Sequence, residues 1–205
     1  SWGNNSNAAE TDTSIGIDSF DNVHISYYNA GLKYAFYDGT SWNFTLIDAV
    51  ENVEGYTNLI VDDEQRIHIS YHDNENKSLK YASFGGPQDM WDTPLPLDIT
   101  GDAGKNPSIA TDSDNNVHIV YTDTTNENIE YIFYDGTTWS TPMPLDSANI
   151  FATHASLAID SNDNLHVTYY DQTNTNLEYM MYDGDSWSSS LTLDSADTVG
   201  SSSSL

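Results

Sequence analysis

Four histidines stand at one register of a tandem repeat, in His24-Ile-Ser-Tyr27, His68-Ile-Ser-Tyr71, His118-Ile-Val-Tyr121 and His166-Val-Thr-Tyr169. Imidazole titrates near neutrality and is the commonest metal ligand. A metal would need these rings to converge, whereas a repeat places equivalent residues on separate units. Each ring is therefore expected to bond to backbone or to the turn aspartate of its own copy. His72 and His154 fall outside the register and are the better histidines for chemistry.

The acidic turns come next: Asp18 and Asp21, Asp62 and Asp63, Asp112 and Asp114, Asp160 and Asp163. Asp18, Asp21, Asp160 and Asp163 could offer calcium hard oxygen ligands. They lack the spacing of a dedicated calcium loop, and turn chemistry is the preferred explanation. Pairs of acids could serve as general acid and base. Every such pair recurs in register, and no nucleophile has an evident base, so no catalytic residue is assigned and the chain is expected not to be an enzyme.

Aromatic residues are abundant, with 14 Tyr and 5 Trp. Trp42, Trp91, Trp139 and Trp187 recur at intervals of 48 or 49 residues. Tyr28, His72 and Tyr170 follow the Tyr of the histidine run, and Asp73, Asp123 and Asp171 come next in line. A ring beside a carboxylate suits a sugar, since the ring stacks on C–H surface while polar groups take hydroxyls. These ten residues form the candidate ligand set. The competing reading is that recurring aromatics pack repeat against repeat.

The elements that must position them are short strands. Each copy parses into four: SIGID or its equivalent, the HxxY run, an LxY run (Leu32–Tyr34, Leu79–Tyr81, Ile129–Tyr131, Leu177–Tyr179) and a segment opening at the tryptophan. Alternation and β-branched enrichment indicate strands, and no 3.6-residue apolar stripe competes. Asp-Gly pairs at 38–39, 135–136 and 183–184 mark the turn before three of the tryptophans. In the histidine run Val23, Ile25 and Tyr27 face one way, and His24, Ser26 and Tyr28 the other. A period near 48 indicates a propeller blade. The expected fold is all-β, a propeller of four-stranded antiparallel blades at 14–57, 58–107, 108–155 and 156–194. An extension covers 1–13 and a partial strand 195–205. Sixteen or seventeen residues after Trp187, the chain reaches the point where another repeat would open, as expected of a piece of a longer array, a self-closed module, or a subunit pairing through its terminal strands.

The pattern HISYYxxxxxLKYAxYDGxSW resembles the tandem repeat of exported bacterial and archaeal surface proteins, with a distant likeness to fucose-lectin and sialidase-type propellers. The resemblance spans residues 14–194. The sialidase likeness implies an Asp-box and an arginine cluster; this chain has neither, and Arg66 is its one arginine. The lectin likeness implies Arg, Glu and Trp around each sugar; only the tryptophan recurs here in every copy.

Composition narrows the partners. Five Lys and Arg face 32 Asp and Glu, a formal charge of −27. That excludes nucleic acid and anionic membrane surfaces, which need a basic face. It suits high ionic strength, where salt screens self-repulsion, and hence a marine or saline prokaryote. No cysteine is present, and no apolar run is long enough to span a membrane. The leading reading is a non-catalytic extracellular or cell-surface module that recognises a glycan or surface polymer, with no cofactor unless calcium. The alternatives are a structural subunit of a surface layer or filament binding its own copies, and a polysaccharide-active enzyme.

Overall fold

The computed structural model describes residues 12–49, 55–85, 90–146 and 152–196. They form four separate four-stranded antiparallel sheets. Blade 1 comprises β1 (Thr13–Ile17), β2 (Val23–Tyr28), β3 (Leu32–Tyr37) and β4 (Trp42–Asp48). Blade 2 comprises β5 (Thr57–Val61), β6 (Ile67–Asp73), β7 (Ser78–Phe84) and β8 (Leu95–Asp98). Blade 3 comprises β9 (Ala103–Thr111), β10 (Val117–Asp123), β11 (Asn128–Tyr134) and β12 (Met143–Pro144). Blade 4 comprises β13 (Ala152–Ile159), β14 (Leu165–Asp171), β15 (Asn176–Tyr182) and β16 (Leu191–Asp194). The fold is thus all-β and propeller-like, with strands in simple meander order.

The turns set this order. Asp18 Oδ1 accepts the N–H groups of Phe20 and Asn22, and Asp21 adopts φ 64° to close the hairpin. Gln65, Asn115 and Asp163 take the same left-handed conformation in the other copies. Apart from Gln65 these are Asp and Asn, which visit that region most easily among non-glycine residues.

Blades pack in sequence, and three interblade cores replace one central core. The first joins Tyr28, Leu32 and Tyr34 to Leu59, Ile69 and Tyr71. The second joins Leu79 and Tyr81 to Ile109, Ile119 and Tyr121. The third joins Ile129 and Tyr131 to Leu157, Val167 and Tyr169. The first strands lie nearest one another. A Cβ on Gly16 would come within 2.8 Å of Leu59; blades 3 and 4 place Ala110 and Ala158 at that register, and blade 2 is the exception with Ile60. Seryl or asparaginyl oxygens tie these strands together: Leu59 N–H donates to Ser14 Oγ, Ile109 N–H to Asn58 Oδ1 and Leu157 N–H to Ser108 Oγ, each at 3.0 Å. Among the described residues, β13–β16 make no comparable contact with β1–β4.

Two sequence expectations are corrected. The fourth strand opens at the tryptophan only in blade 1. Trp91, Trp139 and Trp187 make isolated bridges to Phe84, Tyr134 and Tyr182, and the strands resume later. Pro94 and Pro142 intervene in blades 2 and 3; proline removes a ladder donor. The inner strands of blades 3 and 4 begin earlier than expected, at Ala103 and Ala152, and bulge near Asn106 and His154, which have φ of 47° and 53°. The expected terminal extensions lie largely outside the described residues. Of 1–13, Thr13 belongs to β1 and Asp12 N–H donates to the Gly55 carbonyl. Of 195–205, only Ser195 and Ala196 are described.

Candidate functional site

Each repeated histidine is held at both nitrogens. Nδ1 lies 2.6 Å from Tyr34 Oη in blade 1, 2.5 Å from Tyr81 in blade 2, and 2.7 Å from Tyr131 and Tyr179 in blades 3 and 4. Nε2 lies 3.0 to 3.4 Å from Asp18, Asp62, Asp112 and Asp160 respectively. The direction of these bonds follows from the acids. Burial works to raise the Asp18, Asp62 and Asp112 carboxyls, but hydrogen bonds outweigh it and hold them below the usual range; the donors are Asn, backbone and His at Asp18 and Asp112, and His68 and the Arg66 backbone at Asp62, where the His68 and Arg66 charges add. At Asp160 the bonds from Asn164 and Asn162 dominate, with the same result. An ionised carboxylate only accepts, so Nε2–H donates to it and Nδ1 accepts the tyrosine O–H. Burial pushes the Tyr34, Tyr81 and Tyr131 hydroxyls well above their ordinary value, so they remain donors. Both ring nitrogens are thus occupied within each blade.

The tryptophans continue this chain across the blade boundary. Trp91 meets Tyr34 edge-on at 5.0 Å, Trp139 meets Tyr81 at 4.9 Å and Trp187 meets Tyr131 at 5.3 Å. Among the described residues Trp42 has no such partner; it stacks on Tyr37 and Phe44 of its own blade and is 45% exposed.

A cleft opens beside each of the first two junctions. The cleft between blades 1 and 2, about 380 Å³, includes His24, Tyr34, Phe36, Asn43 and Trp91 in its lining. The cleft between blades 2 and 3, about 450 Å³, is lined on one side by Arg66, Tyr81, Ser83 and Asp92 and on the other by Tyr134, Thr137 and Trp139. Volumes of this size suit small ligands.

The second cleft departs from the repeat at three adjoining positions. Ser83 pairs with His68 across β6 and β7, where the other blades place Phe36, Phe133 and Met181 opposite their histidines. Asp92 stands beside Ser83, in the place of Asn43, Ser140 and Ser188. Arg66 takes the turn position held elsewhere by Asn22, Asn116 and Asn164. Ser83 Oγ donates to Asp92 Oδ2 at 2.8 Å, while Arg66 Nε donates to Asp62 at 3.0 Å and its Nη2 reaches Glu64 at 2.8 Å. A bulky apolar side chain is thus replaced by a hydroxyl, and a carboxylate and a guanidinium flank it within aromatic walls.

The sequence candidates divide accordingly. Trp91 and Trp139 wall the clefts; Trp187 sits at the third junction and Trp42 on the outer face of blade 1. Tyr28, His72, Tyr170, Asp73, Asp123 and Asp171 are withdrawn from the ligand set, because all six are buried. Tyr28 Oη donates to the His72 carbonyl, and His72 Nε2 bonds Asp102. Asp73, Asp123 and Asp171 each cap the following turn, accepting N–H groups from residues two and three places on and the side-chain amide of Asn76, Asn126 or Asn174. His154 is exposed and bonds Thr153. Three of the four calcium candidates already make hydrogen bonds through their carboxylates. Asp18 and Asp160 already accept from several N–H donors, and Asp163 accepts from Ser113 across the blade boundary. Asp21 serves its turn in left-handed backbone. Among the described residues, no group of three or more His, Cys, Asp or Glu is placed to hold a metal.

Sequence reasoning passed over Ser83, Asp92 and Arg66. The signal was available as departures from the repeat, which the search for recurring residues discards.

No family model matches the sequence, and no curated protein matches it. Solved structures do. The SapL1 lectin in complex with α-methyl fucoside superposes with TM-score 0.63 at 14% identity, covering 87% of this chain and 63% of that one. The fucose-specific lectin from Aleuria aurantia gives 0.58 at 17%, covering 90% and 60%. The chain shares the β-propeller fold of these structures. An exo-β-1,3-galactanase from Phanerochaete chrysosporium gives 0.54 at 10%, covering 88% and 49%. The chain spans about three-fifths of the length of those two lectins. At such identities the likeness shows the fold alone.

Proposed function

We propose that the chain is a non-catalytic, extracellular carbohydrate-recognition module, with its sugar site in the cleft between blades 2 and 3. The observation that carries this reading is the local break in symmetry at Ser83, Asp92 and Arg66, since a scaffold that only packs has no need to vary there. Tyr134 and Trp139 supply stacking surface. Asp92, Ser83 and Thr137 supply acceptors and donors for vicinal hydroxyls. The formal charge of −27 favours a neutral sugar over an anionic one. The solved lectins of this fold support the class of ligand. Among the described residues Asp92 is the one carboxylate lining the cleft, whereas glycoside hydrolysis ordinarily uses two.

The test is a glycan array probed with the wild-type chain, followed by calorimetry with Asp92→Asn. Binding to neutral mono- or oligosaccharides is expected, weakened about tenfold by the substitution as a charged hydrogen bond becomes neutral. An array without hits would overturn the reading. Release of reducing ends from β-1,3-galactan would replace it with the enzyme reading.

A further inference from the structure

Each blade has an apolar front and a polar-aromatic back. At every internal junction the front of one blade covers the back of the one before. The front of blade 1 is covered by no described element. Ile15 is 65% exposed, while its counterparts Leu59, Ile109 and Leu157 are 5 to 6% exposed. Ile17, Trp42, Phe44 and Leu46 continue the same face, at 64, 45, 67 and 52%. An apolar patch this continuous on one sheet face marks an interaction surface.

The back of blade 4 is the complementary half. The His166 and Asp160 side chains are 27% and 33% exposed, against 6% and 0% for His68 and Asp62. Tyr179 bonds His166 but, among the described ring contacts, has no tryptophan edge such as Tyr34, Tyr81 and Tyr131 receive. Among the described residues, one chain therefore carries a tryptophan, Trp42, without a tyrosine across a blade boundary and a tyrosine, Tyr179, without a tryptophan edge.

We propose that blade 1 of one copy docks on blade 4 of a second copy, repeating the interblade junction between chains. Trp42 then meets the partner's Tyr179. Ile15 and Ile17 pack where Leu59 and Val61 pack against Gly16, here represented by Ala158. Three junctions within the chain show that such faces fit. The contact is heterologous, so it closes into a ring or grows as a filament. Each copy has the same large negative charge, so association is screened into being by salt.

The absence of cysteine makes a cross-linking test clean. Ile17→Cys and Ala158→Cys chains are prepared singly, mixed under mild oxidation, and run without reducing agent at low and high salt. A disulfide-linked dimer is expected in the mixture at a yield at least tenfold above either variant alone, and higher in salt. No mixture-specific dimer overturns the proposal. The double variant separates ring closure within one chain, which gives a fast-running monomer and also overturns it, from a ladder of linked copies. Sedimentation of the wild-type chain should show association that Phe44→Glu, on the exposed face, abolishes without shifting thermal unfolding. A wild-type monomer at high concentration and salt sinks the idea. Sugar binding by the cleft is measured separately, so either proposal stands or falls alone.

Discussion

The junction between blades 1 and 2 and the junction between blades 2 and 3 share one frame and differ in what fills it. Both have an Asp-His-Tyr series capped by the next blade's tryptophan. At the cleft, the first junction has Phe36 and Asn43, where the second has Ser83 and Asp92. Deeper in, the first sets a half-buried Lys80 against Asp48 and Asp73, while the second has Glu130 at the same register near Asp98 and Asp123. If the frame carries stability and the fillings carry the proposed sugar recognition, substitutions at equivalent positions should separate the two.

The largest effect is expected at the tryptophans. Trp91→Ala and Trp139→Ala should each cost about 2–3 kcal/mol in chemical denaturation, since each removes a ring packed between blades. Only Trp139→Ala should also abolish sugar binding. Equal loss of binding in both would place the sugar at every junction and erase the distinction drawn between the clefts.

Ser83→Phe comes next. It copies into blade 2 the arrangement of blade 1, where Phe36 packs against His24 at 5.2 Å, and of blade 3, where Phe133 packs against His118 at 6.1 Å. The new ring has two precedents in the same molecule, so stability should change by no more than about 1 kcal/mol. Affinity should fall at least about thirtyfold as the cleft fills. Retained affinity in calorimetry would move the site elsewhere.

These comparisons show why the fold is legible in the sequence and the proposed site is not. Strand order, the histidine register and the alternation of Val23, Ile25 and Tyr27 with His24, Ser26 and Tyr28 are periodic, and periodicity survives without coordinates. Burial of Asp73, Asp123 and Asp171 does not. A carboxylate beside an aromatic reads as a ligand site until its oxygens are seen capping a turn. Arg66 looked like a solitary charge because its relation to Trp139 crosses a blade boundary. The fourth strands were placed too early because an aromatic opening a β-rich segment gives no hint that an isolated bridge, rather than a ladder, will hold it.

The smallest effect, and the sharpest, concerns Lys80 and Glu130. Burial raises the Glu130 carboxyl to about 6 from an ordinary 4.5; Asp123 and Asp98 add to this, and Asn128 opposes it. Glu130 is 6% exposed, so little solvent screens it. A carboxyl whose folded-state value lies above its unfolded value binds its proton more tightly when folded. Its contribution is therefore full below about pH 4.5 and is lost as pH rises through about 6, a change of about 1–2 kcal/mol. Other acids with depressed values, Asp73 among them, act in the opposite sense over a lower range, so the readout is a difference between two proteins. Glu130→Gln keeps the shape and removes the titration. The variant should match the wild type near pH 4.5 and exceed its stability by about 1–2 kcal/mol at pH 7. At the first junction Lys80 already neutralises its carboxylates, so Lys80→Gln should destabilise at pH 7 instead. If both substitutions shift stability in the same direction, charge at this register is not what distinguishes the two junctions, and the difference lies in the clefts alone.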